Sequence, residues 1–577
     1  MIQLQLLNSF ATAEFVAALA NVFEHSAWVP ERIATLRPFG SVAQLHQALC
    51  AAVMQASVDE QLALIRAHPE LAGRAAVRGE LTEESTREQA SAGLSACSPE
   101  EFARLQSLNA AYSEKFGFPF VLAVKGHHRA SVIAALEQRG NNDIDPERAV
   151  ALREIGRIAA FRLADLIDEP LGSRIVAMCE QLAQFSEHAQ DLTCSYLSHA
   201  HRQTATQIRD WMLTAGFEVS RDAVGNVIGY LPGPLGAKTL VTGSHYDTVI
   251  DAGKFDGRLG IVLPIAVAAQ LRRRGVQLPY SLTIIAFAEE EGVRFKSTFL
   301  GSRAIVGRFD PAVLDNLDSE GVSMRAAMLH AGLDTTAIGN AAIDPASLLG
   351  FVEVHIEQGP VLLSEGHAVG VVSSIAGSLR YLVTLTGLAG HSGTVPMNLR
   401  RDAAAAAAEL ALTVERECSG QPGLVGTVGQ LQVPNGAVNV IPGRCELSID
   451  IRADSDGVRD AAVAAVMTAA KAIAERRKVE IQFRKLLQVN CVPCAAVWQQ
   501  RFSDSIKRIT GAPPRVLPSG AGHDAMMMAT LTEVGMLFVR CGNGGISHHP
   551  DELLGEADAE VAAQVFTDFL LHLVPTP

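Results

Sequence analysis

Four patterns are missing from the sequence: a basic surplus, a disulfide-type cysteine pattern, the features of a secretory signal in the opening segment and an apolar run of membrane-spanning length. Each absence removes a class of function. Among 577 residues, 48 are Lys or Arg and 62 are Asp or Glu, a net charge of −14; such a balance repels a phosphate backbone and speaks against a nucleic-acid partner. The nine cysteines are odd in number and scattered, which fits free thiols in a reducing compartment. The opening MIQLQLLNSFATAEF has neither the basic segment nor the long apolar core of a secretory signal. No apolar run approaches the roughly 18 residues of a membrane span. The richest, AAAAAAELALTV after Asp402, is alanine-rich and interrupted by glutamate, and reads as a packed helix. The expectation is a cytoplasmic protein without membrane partners. Hydrophobic content of 48% with 19% charged residues is globular, and this length implies several domains.

Two kinds of patterning follow one another. Residues 1–168 carry helical periodicity and almost no strand signal: SVAQLHQALCAAVMQA, SPEEFARLQSLNAAYSEKF and DPERAVALREIGRIAAFRLADLI each repeat apolar residues at i, i+3, i+4 and i+7. Ser98 before Pro99 and Asp145 before Pro146 are helix-start signals. An all-α bundle is predicted here. DEPLGS breaks the pattern and sets a linker at 169–173. Beyond it, TLVTGSH and LTIIAFAEEE are short β-rich runs ending in polar residues, with the helical GRLGIVLPIAVAAQLRRRG between them. Strand, polar loop, helix, strand predicts a mostly parallel sheet with its ligands at the carboxyl ends of strands; Pro264 inside that helix departs from the pattern. Residues 377–487 read as a strand, helix, strands and helix, an inserted α+β layer. It divides the α/β domain into 174–376 and 488–577.

Polar residues collect at the strand ends: His245, Asp247, Asp256, the run Glu289-Glu290-Glu291, His355 and His548. A single His in a Gly-rich loop is more often structural, and a Glu run is usually a solvated face. Here each feature follows a strand or a Gly-rich turn, and the Glu run leaves the buried-strand pattern LTIIAF. Imidazoles with carboxylates make an N/O ligand set for two divalent ions sharing one carboxylate, and paired ions can polarise a carbonyl while activating water. An adjacent Glu pair suits a division in which one ligates and its neighbour serves as base.

With GSHYDTV, FDG, EEEGVRF, HIEQGP, GHSGTVPM, NVIPG and GISHHPDE, the region from about 171 to 577 resembles the dinuclear-metal amidohydrolases of the aminoacylase-like metallopeptidase clan, in the branch of N-carbamoyl amino acid and allantoate amidohydrolases. The resemblance implies one ion on His245, Asp256 and His355, and a second on Asp256, Glu291 and His548. It makes Glu290 the catalytic base and Asp247 the carboxylate that orients His245. It further implies substrate contacts from Gln358, Asn439 and Arg452, and makes His391 a group that reaches a partner subunit's site and steadies the oxyanion. Arg452 suits a carboxylate; without the resemblance, a strand-end salt bridge is the simpler reading. The inserted layer is then a ferredoxin-like dimerisation and lid domain in a homodimer, and the ions are Mn²⁺ or Zn²⁺.

In the helical half, HPELAG puts His68 before Pro69, and STREQASAGL puts Ser85, Glu88 and Gln89 on one helical face. Taken alone, these are a capping His and a solvated Glu. With LNAAYSEKFGFPFVLAVKG, EQRGNN and EIGRIAAFRL, residues 1–168 resemble 2-oxo-4-hydroxy-4-carboxy-5-ureidoimidazoline (OHCU) decarboxylase, a cofactor-free enzyme forming (S)-allantoin. That resemblance implies His68 as proton donor supported by Glu88, with substrate contacts from Pro69, Ser85, Gln89, the Phe120–Val124 backbone and Arg162.

Together these imply a bifunctional purine-degrading enzyme that also hydrolyses allantoate. The alternative keeps the metal chemistry on other N-carbamoyl amino acids, with the helical half a non-catalytic assembly module. No motif for the intervening ring-opening step is visible, so channelling is not implied. Cys491 and Cys494 form a lone Cys-x-x-Cys with no second pair to complete a zinc site.

Overall fold

The structure is a computed structural model and describes residues 2–40, 42–71, 97–124 and 129–573. The chain forms two compact units, one of Met1–Val369, Asp504–Ala512 and Val539–Pro577, the other of Gly370–Ser503 and Pro513–Phe538. Among the described residues, no single helix is long and apolar enough to cross a membrane.

The first unit opens with helices, among them α1 (Val42–Met54), α2 (Val58–Ala67), α3 (Pro99–Phe116) and α4 (Ile144–Leu166). Their starts follow from local chemistry. At α3 the Glu101 N–H donates to the Ser98 hydroxyl (3.2 Å), and the Ser98 N–H donates back to the Glu101 carboxylate (2.8 Å), so two amides that the helix leaves unpaired are satisfied. Helix α4 starts earlier than Asp145-Pro146 suggested: Asp143 is its N-cap and Pro146 its third residue. Proline is tolerated there because first-turn amides have no acceptor within the helix. Leu45, Leu49, Leu64, Leu105 and Ile155 form part of a common core, as the 3.6-residue spacing demands. A two-residue parallel pair, Ile2–Gln3 with Ile167–Asp168, ties the ends of this region together; the sequence pattern did not anticipate it.

The expected linker 169–173 is shorter in the structure. Helix α5 (Leu171–Leu182) starts within it, and the Glu169 carboxylate accepts the Val42 N–H at 2.7 Å. Gly172 lies so close to the C-terminal helix Glu556–His572 that an added Cβ would sit 2.1 Å from the Glu556 carbonyl. Close packing, rather than looseness, explains this glycine.

Then follow α6 (His199–Ala215), β1 (Glu218–Arg221), β2 (Val227–Leu231), β3 (Thr239–His245), α7 (Leu259–Arg273), β4 (Ser281–Phe287) and β5 (Leu348–Ile356). These strands lie in the order β5-β3-β4-β2-β1. Strand β3 runs parallel to both β4 and β5, while β2 is antiparallel to β4 and to β1. Every residue of β4 is buried, which is why it reads as a continuous apolar run rather than an alternating one. Helix α7 runs through Pro264, forgoing one main-chain bond.

The second unit holds β6 (Gly377–Thr386), α8 (Ala403–Cys418), β7 (Leu424–Thr427), β8 (Arg444–Ala453), α9 (Asp456–Arg477) and β9 (Glu480–Val489). The sheet order is β7-β8-β6-β9, all antiparallel. Along β8, Cys445, Leu447, Ile449, Ile451 and Ala453 are buried in strict alternation, the period-2 signature of one face packed on helices. Strand Arg515–Ser519 runs parallel to Val369–Ile375, and that pair belongs to the nine-stranded sheet rather than to this one.

Candidate functional site

Strand β3 ends on His245, β4 runs into Glu289-Glu290-Glu291, and β5 carries His355. These are the carboxyl ends of parallel neighbours, and the loop before α7 brings Asp256 among them. Asp256 Oδ1 lies 3.4 Å from His245 Nε2 and 3.2 Å from His355 Nε2. Asp256 Oδ2 lies 3.1 Å from His548 Nε2, which is 3.3 Å from Glu291 Oε1. Two triads therefore share one aspartate: His245, Asp256, His355 and Asp256, Glu291, His548, with donor atoms in each within 4.8 Å of one another. Glu290 joins His245 and Glu291 in a further group of this kind.

The surroundings aim these groups. Asp247 is buried and accepts the N–H of Glu290 (3.0 Å) on one oxygen and that of Glu291 (3.1 Å) on the other. His245 Nδ1 faces Asp247, 3.1 Å from its carbonyl and 3.4 Å from its carboxylate. His355 Nδ1 lies 2.9 Å from the Ile356 carbonyl. Both rings thus engage Nδ1 on protein oxygens and turn Nε2 toward Asp256, the arrangement that fixes tautomer and direction in metal-binding histidines; the Gly257 N–H also donates to His355 Nε2, at 3.2 Å. Gly257 has φ +65°, and an added Cβ would sit 2.5 Å from the His245 ring.

The charge distribution suits a cation. Burial acts to lower His245 and His355, yet Asp247 and Asp256 hold His245 well above the usual imidazole range and Asp256 raises His355. Asp256, then Glu291, bring His548 up to about 10. Burial acts to raise Asp256, but the three imidazoles hold it well below the usual carboxylate range. Without a cation, protons answer this concentration of negative charge. Asp256 Oδ1, though buried, accepts no well-formed hydrogen bond, so the donor set fits an ion at that atom.

Sequence reading did not anticipate Glu552 and Ser547. Glu552 Oε1 accepts the N–H groups of Phe255 (2.7 Å) and Asp256 (3.1 Å). The Ser547 hydroxyl lies 2.7 Å from Glu552 Oε2 and 3.0 Å from Asp256 Oδ2. Together they pin the Asp256 loop to the His548 loop. GISHHPDE contains both residues, but only the fold shows that this glutamate caps amides roughly 300 residues earlier in the chain. Gln358, at φ +55°, donates to Asp256 Oδ2 at 2.7 Å. Glu289 belongs to none of the triads; burial, then the Asp247 charge, hold it well above the usual carboxylate range.

In the second unit, the pairing of His391 with Val440 brings it beside Asn439, whose carbonyl accepts the Ser392 N–H (3.0 Å). His391 is exposed, and its Nδ1 accepts the Gly393 N–H. Arg452 grips Asp450 through Nε and Nη2 and donates from Nη1 to the Gly520 carbonyl, so the strand-end salt bridge is present. Cys491 and Cys494 are free thiols, as are the other cysteines.

A second buried site lies in the helical region. His68 follows α2, is 6% exposed, and has Nδ1 3.0 Å from the Leu64 carbonyl. Its Nε2 has no hydrogen-bond partner among the described residues. A carbonyl is only an acceptor, so Nδ1 bears the proton and Nε2 the lone pair. Burial lowers the His68 pKa; Glu24 opposes that shift and Arg162 adds to it. Arg162 donates to the Glu24 carboxylate at 2.7 Å and to the Asn21 carbonyl at 3.0 Å. Glu24 is a further charged group that no sequence motif marked. Pro69 is half-buried, and Phe120 and Val124 are buried. The Phe120–Val124 segment is held by Arg139, which donates to the Val121 carbonyl (2.8 Å), and by Glu154, which accepts the Ala123 N–H (2.9 Å). Ser85, Glu88 and Gln89 lie outside the described residues.

A mixed sheet whose parallel strands end in His and Glu side chains that meet a loop Asp and a loop His is the arrangement of metal-using α/β hydrolases. The chain belongs to peptidase family M20/M25/M40, whose model matches residues 241–572; residues 8–164 match the OHCU decarboxylase family. Among characterised relatives, an N-carbamoyl-L-amino acid amidohydrolase of Geobacillus stearothermophilus is 40% identical over 63% of this chain and 89% of its own length. An allantoate deiminase of Arabidopsis thaliana is 38% identical over 70% of this chain and 83% of its own. The crystal structure of AtUAH in complex with glyoxylate superposes with a TM-score of 0.59 at 31% identity, covering 70% of this chain and 97% of the other.

Proposed function

We propose that the chain is a bifunctional enzyme of ureide degradation. One half decarboxylates OHCU to (S)-allantoin; the other hydrolyses allantoate to ureidoglycine, ammonia and carbon dioxide. The observation that carries this reading is the pair of triads sharing the buried Asp256 on a chain whose residues 8–164 match a decarboxylase that forms an allantoin. That coupling favours allantoate among ureido acids, and the deiminase relative supports it.

In the hydrolase half, His245, Asp256, His355, Glu291 and His548 would hold two divalent ions, Mn²⁺ or Zn²⁺. Such ions supply Lewis acidity at the ureido carbonyl and lower the pKa of water. Glu290 takes the proton of the attacking water and passes it to the leaving nitrogen. Asp247 holds His245 and the Glu290-Glu291 backbone in place. Arg452 and Asn439 bind the substrate carboxylate, Gln358 its ureido group, and His391 of a partner copy meets the charge developing on the carbonyl oxygen. A homodimer through the inserted layer follows from that role, and the exposed Met397, Leu399 and Val438 near His391 supply apolar surface for it.

In the decarboxylase half, cleavage of the carboxyl bond leaves an electron pair that the ring's unsaturated carbon–nitrogen centre accepts, without a cofactor. His68 Nε2 takes the ring hydroxyl proton and returns a proton to carbon, so the residue becomes a donor only after acting as acceptor.

A second reading, hydrolysis of other N-carbamoyl amino acids, is favoured by the 40% identical relative. The test is ammonia release from allantoate and from N-carbamoyl-L-amino acids by stripped protein resupplied with Mn²⁺ or Zn²⁺. Metal-dependent release from allantoate supports the proposal; turnover of the carbamoyl amino acids alone replaces its substrate.

A further inference from the structure

In the second unit, Ser378 and Arg380 on β6 stand directly across from Arg452 and Asp450 on β8. Their neighbours Leu379, Ile449 and Ile451 belong to the core of this unit, so the period of two places these four side chains on the other face of the sheet. Asp450 is the hub of the group. Its Oδ1 accepts the Ser378 hydroxyl at 2.8 Å. Its Oδ2 accepts Arg380 Nε at 3.0 Å, and Arg452 Nε and Nη2 at 3.2 and 3.0 Å. Burial acts to raise Asp450, but Arg452, then Ser378 and Arg380, hold it below the usual carboxylate range, so it is ionised at neutral pH.

These bonds settle how Arg452 is presented. A guanidinium offers five N–H groups in a rigid fork. Asp450 takes two of those on Arg452, and the Gly520 carbonyl takes one from Nη1 at 2.8 Å. The two that remain lie one on Nη1 and one on Nη2, so the side chain is held with its terminal nitrogens open to a further acceptor. Asp450 is in turn held on both oxygens, by Ser378 and by Arg380. The bonded set contains two guanidiniums and one carboxylate, and one further carboxylate brings it to neutrality.

We infer that Asp450, anchored by Ser378 and Arg380, is a positioning residue that aims the terminal nitrogens of Arg452 at the substrate carboxylate. The inference rests on the carboxylate-binding role proposed above for Arg452. It makes the strand-end salt bridge and the substrate contact parts of one device rather than alternatives. The opposite arrangement has the substrate displace Asp450 from Arg452. That exchange swaps two charge-assisted hydrogen bonds for two others without a gain in number, and it leaves the Asp450 charge beside the incoming one.

The test measures kcat and KM for full-length protein loaded with Mn²⁺ or Zn²⁺. The substrate is allantoate or, if only carbamoyl amino acids are turned over, N-carbamoyl-L-alanine; both carry the carboxylate. Asp450→Ala should raise KM about tenfold or more, the scale of losing a hydrogen bond to a charged group, with kcat changed far less. Asp450→Asn keeps the side-chain volume and removes the charge, and should raise KM as well. Arg452→Ala should raise KM at least as much as Asp450→Ala, and the double variant no further, because Asp450 acts through Arg452. A KM that both Asp450 variants leave unchanged or lower, a fall in kcat in place of the rise in KM, or effects that multiply in the double variant would each overturn the inference. If Arg452→Ala itself leaves KM unchanged, the carboxylate-binding role of Arg452 fails and the inference with it. A KM raised by Arg452→Ala but by neither Asp450 variant overturns the inference alone.

Discussion

Glu290 and Glu291 are adjacent, and Asp247 receives both of their N–H groups, so the two carboxylates leave one turn in directions set by a single buried aspartate. If Glu290 is the base, Glu290→Gln lowers ammonia release roughly 10²- to 10⁴-fold while metal content, read by atomic absorption, stays near that of the unmodified protein. Loss of metal along with activity would instead make Glu290 a ligand. His68 provides the pH test. Burial holds its pKa in the folded chain below the ordinary 6.5, so the neutral form predominates at and above that pH. Decarboxylation should therefore fall on acidification with a midpoint below pH 6.5; a rate that climbs as pH drops through 6.5 would require a charged donor at the outset. The linked stability has the same sign. A buried neutral imidazole that resists protonation costs folding free energy as pH falls below 6.5, where the unfolded chain binds the extra proton.

Turns and loops set the element scale. At Gly257, φ +65° and the nearness of the His245 ring both require glycine. Gly257→Ala should cost roughly 1–3 kcal/mol and displace His245, and calorimetric metal titration should show weakened binding together with the lower melting temperature. Glu552 and Ser547 tie the Asp256 and His548 loops together. Glu552→Ala frees the Phe255 and Asp256 amides, and metal affinity should fall roughly 10- to 100-fold, as for outer partners of metal ligands; unchanged affinity would make this tie dispensable. Local patterning was informative about elements: the runs TLVTGSH, LTIIAF and RCELSIDIRA fall on strands β3, β4 and β8, and Ser98-Pro99 begins α3. It failed where a tertiary contact set the boundary. Helix α4 starts at Ile144 rather than after Asp145, and α5 takes over part of the expected linker because it packs against the C-terminal helix.

For the whole molecule, the proposed division of labour predicts an asymmetric response to chelation. Stripping metal should abolish ammonia release and leave decarboxylation intact, because the His68 site is built from Glu24, Arg162 and main-chain carbonyls rather than from the strand-end triads. Parallel loss of both activities would overturn that division.

The sequence by itself determined the kinds of element, through periods of 3.6 and 2, and the residue types at the strand ends, because covalent order alone places Asp247 two residues from His245 and Glu290 beside Glu291. Only the tertiary structure decided which atoms meet. His245, Asp256, Glu291, His355 and His548 are spread over some 300 positions, and their convergence depends on how β3, β4 and β5 align and on the loops that return to them. The same holds for the ring nitrogen that each histidine presents. At His68, His245 and His355 a main-chain carbonyl chosen by packing engages Nδ1, and no local pattern encodes that carbonyl's position.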